Sequence, residues 1–314
     1  MSESHRKVAV IGAGTIGLSW ATLFAAHGLQ VRVQDPRTDL EQTLEEAVRQ
    51  FARTLPGGPR EPGELLALIT VDADVESAVD GADVVQENGP ERIDVKREVF
   101  ARVEEVVAAE TLILSSTSGL MPSELSEEMA TPGRLLVGHP FNPPHVLPLV
   151  EVVPGPFTEQ WAVDAAAAFY RGLGKTPVVL HKEIGGFVAN RLQSAIFKEC
   201  VHLVLEGVVD AAELDQVMTE SIGLRWATAG PFESYHLGGG PGGIRHLLEH
   251  LGPGMARRWK NLGQPELTPE TVDLISAQVE ERFRDRSYAE MTEARDRTQL
   301  AVLAARDAAE GERR

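Results

Sequence analysis

Cysteine and long apolar runs are scarce in this chain of 314 residues. Its one cysteine, Cys200, excludes an internal disulfide framework and suits a reducing compartment, so we expect a cytoplasmic location. The apolar runs are short and interrupted, well under the ~20 residues that a membrane-spanning helix needs. No signal-peptide pattern precedes the first apolar run. We therefore expect no association with a membrane.

Positive charge is scarce too, because 30 lysines and arginines face 47 aspartates and glutamates, for a formal net charge of −17. This balance argues against nucleic acid as a partner but leaves an anionic small molecule open, since the local field governs a small site. The sequence lacks solenoid repeats and metal-ligand motifs, so we expect no bound metal. The one biased tract, GGGPGG at 238–243, follows no strand and precedes no Walker lysine, which favours a turn between helices.

Short apolar runs alternate with helical segments over the first 184 residues or so. The runs that predict strands are KVAVIG, LQVRVQD, LITV, ADVVQE, TLILSS, RLLVGHP, LPLVEVVPG and TPVVLH. Segments between them, such as TIGLSWATLFAAHG and VKREVFARVEEVVAA, have the apolar spacing of helices. Strands separated by helices are typical of βαβ units. We therefore predict an α/β fold with a doubly wound parallel sheet.

Helical patterns alone follow this part of the chain. The predicted helices cover GGFVANRLQSAIFKECVHLVLEGVV, DAAELDQVMTESIG and residues 231–251, 268–285 and 287–310. A chain of this length is long for one core and comfortable for two domains. We predict a sheet-containing domain over residues 1–185 and an all-helical domain over residues 186–314.

A glycine-rich turn joins the first predicted strand to the first predicted helix. VAVIGAGTIG places Gly12, Gly14 and Gly17 in the G-x-G-x-x-G spacing, which is informative in this strand–turn–helix context. The glycines allow a tight turn, close approach of a pyrophosphate and close packing of helix on strand. Thr15 and Ile16 begin a helix whose N-terminus faces the phosphates. The motif predicts a Rossmann-type dinucleotide site, and the alternative is a small-residue turn without a ligand.

The second predicted strand ends at Asp35. A carboxylate at this position accepts hydrogen bonds from the adenosine ribose and repels a 2′-phosphate, which favours NAD over NADP. Arg37 lies nearby and would soften that preference. The predicted cofactor is therefore NAD.

His139 follows RLLVG at the carboxyl end of a predicted strand, the edge where open parallel sheets bind ligands. Glu151 lies inside the next apolar run, where a carboxylate needs a partner. A paired glutamate raises the basicity of an imidazole and fixes its tautomer, as a general base requires. Spacing alone leaves two interpretations open, this pair or an unrelated structural histidine.

Four segments, VAVIGAGTIG, SSTSGL, GHPFNPPHVLPLVEVV and GFVANRLQ, resemble in order and spacing the 3-hydroxyacyl-CoA dehydrogenase superfamily. The resemblance covers nearly the whole chain. It implies hydride transfer between NAD and C3 of a 3-hydroxy substrate, with His139 as the base and Glu151 orienting it. It also implies that Ser118 and Asn190 hydrogen-bond the substrate oxygen and the histidine, and that the protein is a homodimer. The residues that it implies on the cofactor side are Glu87, Asn88 and Lys96.

Arg225 lies in GLRWATAGPF, among residues that otherwise look ready for burial. A buried guanidinium needs an anion. HPFNPP and GLRWATAGPFE resemble the lambda-crystallin/L-gulonate 3-dehydrogenase and L-carnitine 3-dehydrogenase branches, which act on free 3-hydroxy acids. This implies that Arg225 binds a substrate carboxylate, while an ion pair within the chain stays the alternative. Trp226, Phe232 and Tyr235 either surround a quaternary ammonium group or pack between helices.

Three functions of different kinds compete. The first is NAD-dependent oxidation of a small L-3-hydroxy acid to the 3-keto acid, or the reverse. The second is the same chemistry on a 3-hydroxyacyl-CoA such as 3-hydroxybutyryl-CoA. The third is a non-catalytic, crystallin-like structural or NAD-binding protein, against which the intact set of catalytic residues argues.

Overall fold

The computed structural model of the protein describes residues 7–311. Eight strands form one sheet, at Lys7–Ile11 (β1), Gln30–Gln34 (β2), Ile69–Val71 (β3), Val84–Glu87 (β4), Leu112–Ser115 (β5), Leu135–Pro140 (β6), Leu149–Pro154 (β7) and Thr176–Val179 (β8). They lie in the order β3-β2-β1-β4-β5-β6-β7-β8. The order reverses between β1 and β4, which is the switch point where doubly wound sheets bind ligands. The predicted fold class is confirmed.

Two strands depart from the predicted parallel sheet, because β7 and β8 run opposite to the other six. β7 runs antiparallel to β6, and β8 is parallel to β7. Only residues 141–148 connect β6 to β7, whereas a parallel return needs a crossover of a dozen residues or more. The short connection therefore turns the chain straight back and places His139 directly opposite Glu151.

Two buried clusters lie on the two faces of the sheet. Successive side chains of a strand point to opposite faces, and β1 gives Val8 and Val10 to one cluster but Ala9 and Ile11 to the other. The helices of this part span Thr15–Ala26 (α1), Leu40–Phe51 (α2), Pro62–Leu66 (α3), Val75–Val79 (α4), Ile93–Val106 (α5), Pro122–Leu125 (α6) and Gln160–Gly172 (α7). Because α3 and α4 are too short for an apolar period, the sequence does not predict them.

Helices make up the rest of the described chain. They span Ala189–Leu205 (α8), Ala211–Val217 (α9), Gly223–Thr228 (α10), Pro231–Gly238 (α11), Gly243–Lys260 (α12), Pro269–Phe283 (α13) and Tyr288–Gly311 (α14). A π-helical turn, Met218–Ile222, joins α9 to α10. The single helix predicted over 231–251 is wrong, because the glycine tract turns the chain between α11 and α12. Gly240 and Gly243 have positive φ there, which side chains disfavour.

The chain divides into two compact units. The first holds the described residues up to Asn190 together with Thr292–Ala305, and the second holds Arg191–Met291 and the described residues from Arg306 onward. The middle of α14 therefore belongs to the first unit, and the division into domains at 185/186 stays a prediction. No helix within residues 7–311 is long and apolar enough to cross a membrane.

Candidate active site

The glycine-rich turn lies between β1 and α1. Gly12 has a φ of +93°, and a Cβ added to it would lie 2.7 Å from the backbone of Asn88. A Cβ on Gly17 would lie 1.9 Å from the carbonyl oxygen of Gly12. Around Gly14, by contrast, no atom of the described residues lies within 4 Å of such a Cβ. The space over Gly14 is therefore open to a ligand at the N-terminus of α1, where backbone N–H groups lack intrahelical acceptors.

Asp35, just after β2, is hydrogen-bonded to this turn. Its carboxylate accepts hydrogen bonds from the N–H of Ala13 at 2.8 Å and from that of Arg37 at 3.0 Å. The guanidinium of Arg37 donates to both carboxylate oxygens of Asp39. A glycine backbone, a helix N-terminus and a half-buried acid fit the pyrophosphate and the adenosine ribose of NAD.

Glu87 and Lys96 form an ion pair that is almost completely buried. Nζ of Lys96 donates to Oε1 of Glu87 at 2.6 Å and to the carbonyl of Gly89 at 3.2 Å. The second oxygen of Glu87 accepts from the hydroxyl of Ser115 at 2.6 Å. Each member of the pair is 1% exposed. Their polar groups are thus engaged within the protein, and contact of either residue with the cofactor stays a prediction.

Glu91 is a site residue that the sequence analysis missed. Its Oε1 accepts hydrogen bonds from the hydroxyl of Thr117 at 2.6 Å, the N–H of Ser118 at 2.9 Å and the N–H of Gly119 at 3.0 Å. Burial raises the pKa of Glu91, but these bonds and the nearby ammonium of Lys96 outweigh burial and lower the pKa. Glu91 therefore holds the loop that follows β5 as a carboxylate. In the sequence Glu91 lies just before α5, and no motif marks it.

His139 and Glu151 meet across β6 and β7. Nδ1 of His139 lies 2.9 Å from Oε2 of Glu151. Oε1 of Glu151 accepts hydrogen bonds from the N–H groups of Val188 at 2.9 Å and Ala189 at 3.0 Å, where α8 begins. Burial raises the pKa of Glu151, whereas the bond to His139 and the two backbone bonds lower it by more, so that the net shift is downward.

A carboxylate only accepts hydrogen bonds, so Nδ1 of His139 carries the proton in this pair. Nε2 is then the basic nitrogen of the neutral ring, and none of residues 7–311 hydrogen-bonds it. The rings of Phe141 and Phe187 flank the imidazole with centroid distances of 5.1 and 5.3 Å. The site therefore presents an oriented imidazole with a free lone pair.

Ser118 and Asn190 lie together in the first unit. Nδ2 of Asn190 donates to the carbonyl oxygen of Ser118 at 3.3 Å. The hydroxyl of Ser118 is exposed and makes only a long bond, 3.3 Å, to Glu91. Its hydrogen is free to rotate toward a ligand.

Asn88 is fixed by a network of hydrogen bonds under the site. Its Oδ1 accepts from the hydroxyl of Ser116 at 2.7 Å, which in turn accepts from Gln86 at 2.9 Å. Gln86 also accepts from the hydroxyl of Tyr170 at 2.8 Å. A Cβ on Gly138 would lie 1.9 Å from that hydroxyl oxygen. The glycine before His139 therefore makes room for the network.

Arg225 is exposed on α10 in the second unit, so the expectation of burial is wrong for the single chain. Its guanidinium has no hydrogen bond or ion pair among residues 7–311, and its role stays a prediction. Trp226, Phe232 and Tyr235 are exposed as well.

No cluster of metal-ligating side chains occurs in the described part of the chain.

Two family models match consecutive parts of the chain. The NAD-binding domain model of 3-hydroxyacyl-CoA dehydrogenase matches residues 7–184, and the model of the C-terminal domain of these enzymes matches residues 186–265. The chain belongs to the 3-hydroxyacyl-CoA dehydrogenase family. It is thus an NAD-dependent oxidoreductase acting on CH–OH groups, which excludes the non-catalytic alternative.

Several relatives resemble the chain over nearly its full length. An L-carnitine dehydrogenase of Nocardiopsis dassonvillei is 43% identical, over 96% of this chain and 92% of the relative. A 3-hydroxyacyl-CoA dehydrogenase of Gibberella moniliformis is 38% identical, over 98% and 96%. The crystal structure of 5-formyl-3-hydroxy-2-methylpyridine 4-carboxylic acid 5-dehydrogenase, an NAD+-dependent dismutase, is 26% identical with a TM-score of 0.78, over 96% of this chain and 98% of that one. These relatives act on different substrates.

Proposed function

We propose that the protein oxidises the 3-hydroxyl group of a small free L-3-hydroxy acid to a ketone with NAD, or catalyses the reverse. The observation that carries this proposal is the hydrogen bond of Glu151 to His139, which leaves Nε2 of the imidazole as an unpaired base. L-carnitine is the first substrate to test, because L-carnitine dehydrogenases are among the relatives of similar length.

His139 accepts the proton of the 3-hydroxyl at Nε2 as the C–O bond gains double-bond character. NAD supplies the hydride acceptor when it is bound. Glu151 stabilises the imidazolium that forms, because its carboxylate stays ionised beside Nδ1. In the reverse direction the imidazolium returns the proton to the alkoxide.

Ser118 and Asn190 donate hydrogen bonds to the substrate oxygen in this proposal. The Ser118 hydroxyl is exposed and turns from Glu91 to the ligand, and Asn190 already lies against the backbone of Ser118. Two such donors stabilise negative charge on the oxygen as it develops. They also orient the hydroxyl toward Nε2 of His139.

Arg225 supports a free acid over a thioester. Its guanidinium has no partner among the described residues of its own chain and forms a fork suited to a carboxylate. In this proposal the exposed rings of Trp226, Phe232 and Tyr235 contact a quaternary ammonium group such as that of L-carnitine by cation–π interaction.

The second candidate is a 3-hydroxyacyl-CoA dehydrogenase. The observation in its favour is the relative of that name, which is 38% identical over 98% of this chain. Both candidates use the same base and the same hydride step, so they differ only in what holds the acyl end of the substrate.

Steady-state kinetics with NAD separates the two candidates. L-carnitine, L-3-hydroxybutyrate, L-gulonate and 3-hydroxybutyryl-CoA are compared by kcat/KM from NADH absorbance. We expect a free acid to exceed the CoA ester by at least about 10², the discrimination of a site with a dedicated charged partner. A preference for the CoA ester would contradict the free-acid assignment and leave the dehydrogenase assignment intact.

We also propose that the protein is a homodimer formed by its helical part, in the cytoplasm as its single cysteine suggests. Large apolar side chains are exposed on the second unit, among them Phe232 at 81%, Leu267 at 69% and Trp259 at 65%. Large apolar side chains left exposed on one unit are typical of a surface that a partner covers. Light scattering coupled to size exclusion tests this, and a monomeric mass at micromolar concentration would contradict it.

A further inference from the structure

Phe187 has an unusual backbone conformation at the point where α8 begins. Its φ is +48°, the left-handed region, and among the described residues it is the only non-glycine with positive φ. A bulky side chain is strained there, and such strain persists only where the surroundings enforce it. Gly186 before it also has positive φ, at +73°. The two residues bend the chain sharply into the first turn of α8.

The bend directs backbone N–H groups at the carboxylate of Glu151. The two residues after Phe187 are Val188 and Ala189, whose N–H groups both donate to Oε1 of Glu151 at 2.9 and 3.0 Å. These donors leave Oε2 of Glu151 for Nδ1 of His139. An ordinary extended or helical φ at Phe187 would turn both N–H groups away from the carboxylate.

The ring of Phe187 lies on the other partner of the pair. It is completely buried, and its centroid is 5.3 Å from that of the His139 imidazole, with the two planes inclined by 52°. The ring also belongs to the core cluster that contains Phe100 and Leu180. The core therefore anchors the ring, and the ring restricts the tilt of the imidazole.

We propose that Phe187 is a positioning residue for the base. Its left-handed backbone brings two N–H groups onto Glu151, and its ring holds the face of His139, so that a single residue sets the geometry of both members of the pair. This inference rests on the proposed function, since it assigns Phe187 to the base of that reaction. Phe187 itself touches neither substrate nor the reacting atoms in this proposal.

Phe187→Leu tests it against a matched control, Phe100→Leu. Both phenylalanines are completely buried in the same cluster, but Phe100 lies within α5, and the rings that flank His139 are those of Phe141 and Phe187. We expect Phe187→Leu to lower kcat by about 10-fold or more, because misplacement of a catalytic group by about 1 Å has effects of that size. The KM for NAD should stay unchanged, and Phe100→Leu should change kcat by less than about 2-fold.

The double variant with Glu151→Gln shows whether Phe187 acts through the pair. If it does, Phe187→Leu lowers kcat little in the Glu151→Gln background, since residues that act as a unit are not additive. Equal fold-losses in the two backgrounds would overturn the proposal.

A readout without turnover keeps this test separate from the proposed function. The proton on Nδ1 of His139, assigned by its loss in His139→Gln, should give a low-field NMR resonance because it bonds to a carboxylate. We expect Phe187→Leu to shift or broaden this resonance and Phe100→Leu to leave it in place. If the wild-type protein turns over no 3-hydroxy substrate, the function fails while this measurement still decides the role of Phe187. An unchanged resonance in Phe187→Leu would overturn the role even in an active enzyme.

Discussion

The surroundings of His139 and those of Arg225 differ in how completely the chain satisfies its own polar groups. Around His139, both oxygens of Glu151 are hydrogen-bonded. The Glu87–Lys96 pair of the same unit is likewise buried and hydrogen-bonded within the chain. Around Arg225, the guanidinium and its apolar neighbours are exposed, and no partner for it lies within residues 7–311. The chain itself holds the polar groups around His139 in place, whereas those around Arg225 are available to a ligand or another chain. We infer that bond-making resides in the first and substrate choice in the second.

The largest expected effect is on the preorganised region. His139→Ala should lower kcat by about 10²–10⁴, the usual worth of a positioned acid–base group. NAD binding should persist, because the glycine turn and Asp35 are untouched. Stopped-flow and steady-state NADH formation measure the loss, and near-normal kcat in the variant would rule out His139 as the base.

Substitution of Arg225, in the exposed region, should change mainly the KM for the free acid. Arg225→Met should raise the KM for the free acid by roughly 10–150-fold, since a hydrogen bond to a charged group contributes roughly 1.5–3 kcal/mol. The fall in kcat should be smaller, because the arginine binds the carboxylate and takes no part in the proton or hydride transfer in this proposal. Arg245→Met is the control, since Arg245 is exposed on the same unit and lies 3.9 Å from Glu249. Equal KM values in the two variants would break the contrast between the regions.

The preference for NAD over NADP should depend on Asp35 and not on the surroundings of His139 or Arg225. Asp35→Ser should reduce the preference for NAD over NADP by about 10-fold, because it removes the carboxylate that repels a 2′-phosphate. The matched variant Asp39→Asn frees Arg37 from its ion pair but keeps Asp35. We expect the ratio of kcat/KM values for the two cofactors to shift more in Asp35→Ser, and an unchanged ratio there would refute this role.

Lys175 should affect only stability, and in a pH-dependent way. It is buried, and it donates to the carbonyl oxygens of Leu147, at 3.0 Å, and Pro144. Burial lowers the pKa of Lys175 to about 7 from the ordinary 10.5. Between these two values the unfolded chain holds a proton that the folded chain lacks, so this lysine makes the free energy of unfolding rise with pH. Below about 7 both states are charged, and the folded state bears the whole cost of the buried ammonium.

Lys175→Met removes that contribution. Urea unfolding at several pH values between 7.5 and 9.5 should show a slope that is smaller in the variant by about 1 kcal/mol per pH unit. A constant difference in the free energy of unfolding between the two proteins does not affect the test, because only the slopes of that free energy against pH are compared. Parallel slopes would mean that Lys175 is charged in the folded protein throughout this range.

The sequence predicts the fold well where local patterns decide it. All eight strands and the strand–turn–helix around Gly14 follow from apolar runs and glycine spacing. The antiparallel β7 was open to prediction too, since the eight residues 141–148 are too few for a crossover. The helices α3 and α4 were not, because five residues show no period.

The site is predicted less completely, because its geometry depends on contacts between distant residues. His139 and Glu151 are joined by strand register, which the order of residues along the chain does not state. Glu91 and Phe187 take their roles from a loop after β5 and from a left-handed turn before α8. Arg225 was expected to be buried because its neighbours are apolar, yet apolar neighbours also mark a surface that a partner covers.

The most direct test of carboxylate recognition by Arg225 removes the negative charge of the substrate by esterification. The wild-type enzyme and Arg225→Met are compared on L-3-hydroxybutyrate and on its methyl ester, each with NAD. We predict that the wild type prefers the acid in kcat/KM by about 10² and that Arg225→Met loses most of this preference, since the substrate carboxylate and the guanidinium form one pair. If the wild type uses acid and ester equally well, Arg225 recognises no carboxylate and the free-acid assignment is contradicted.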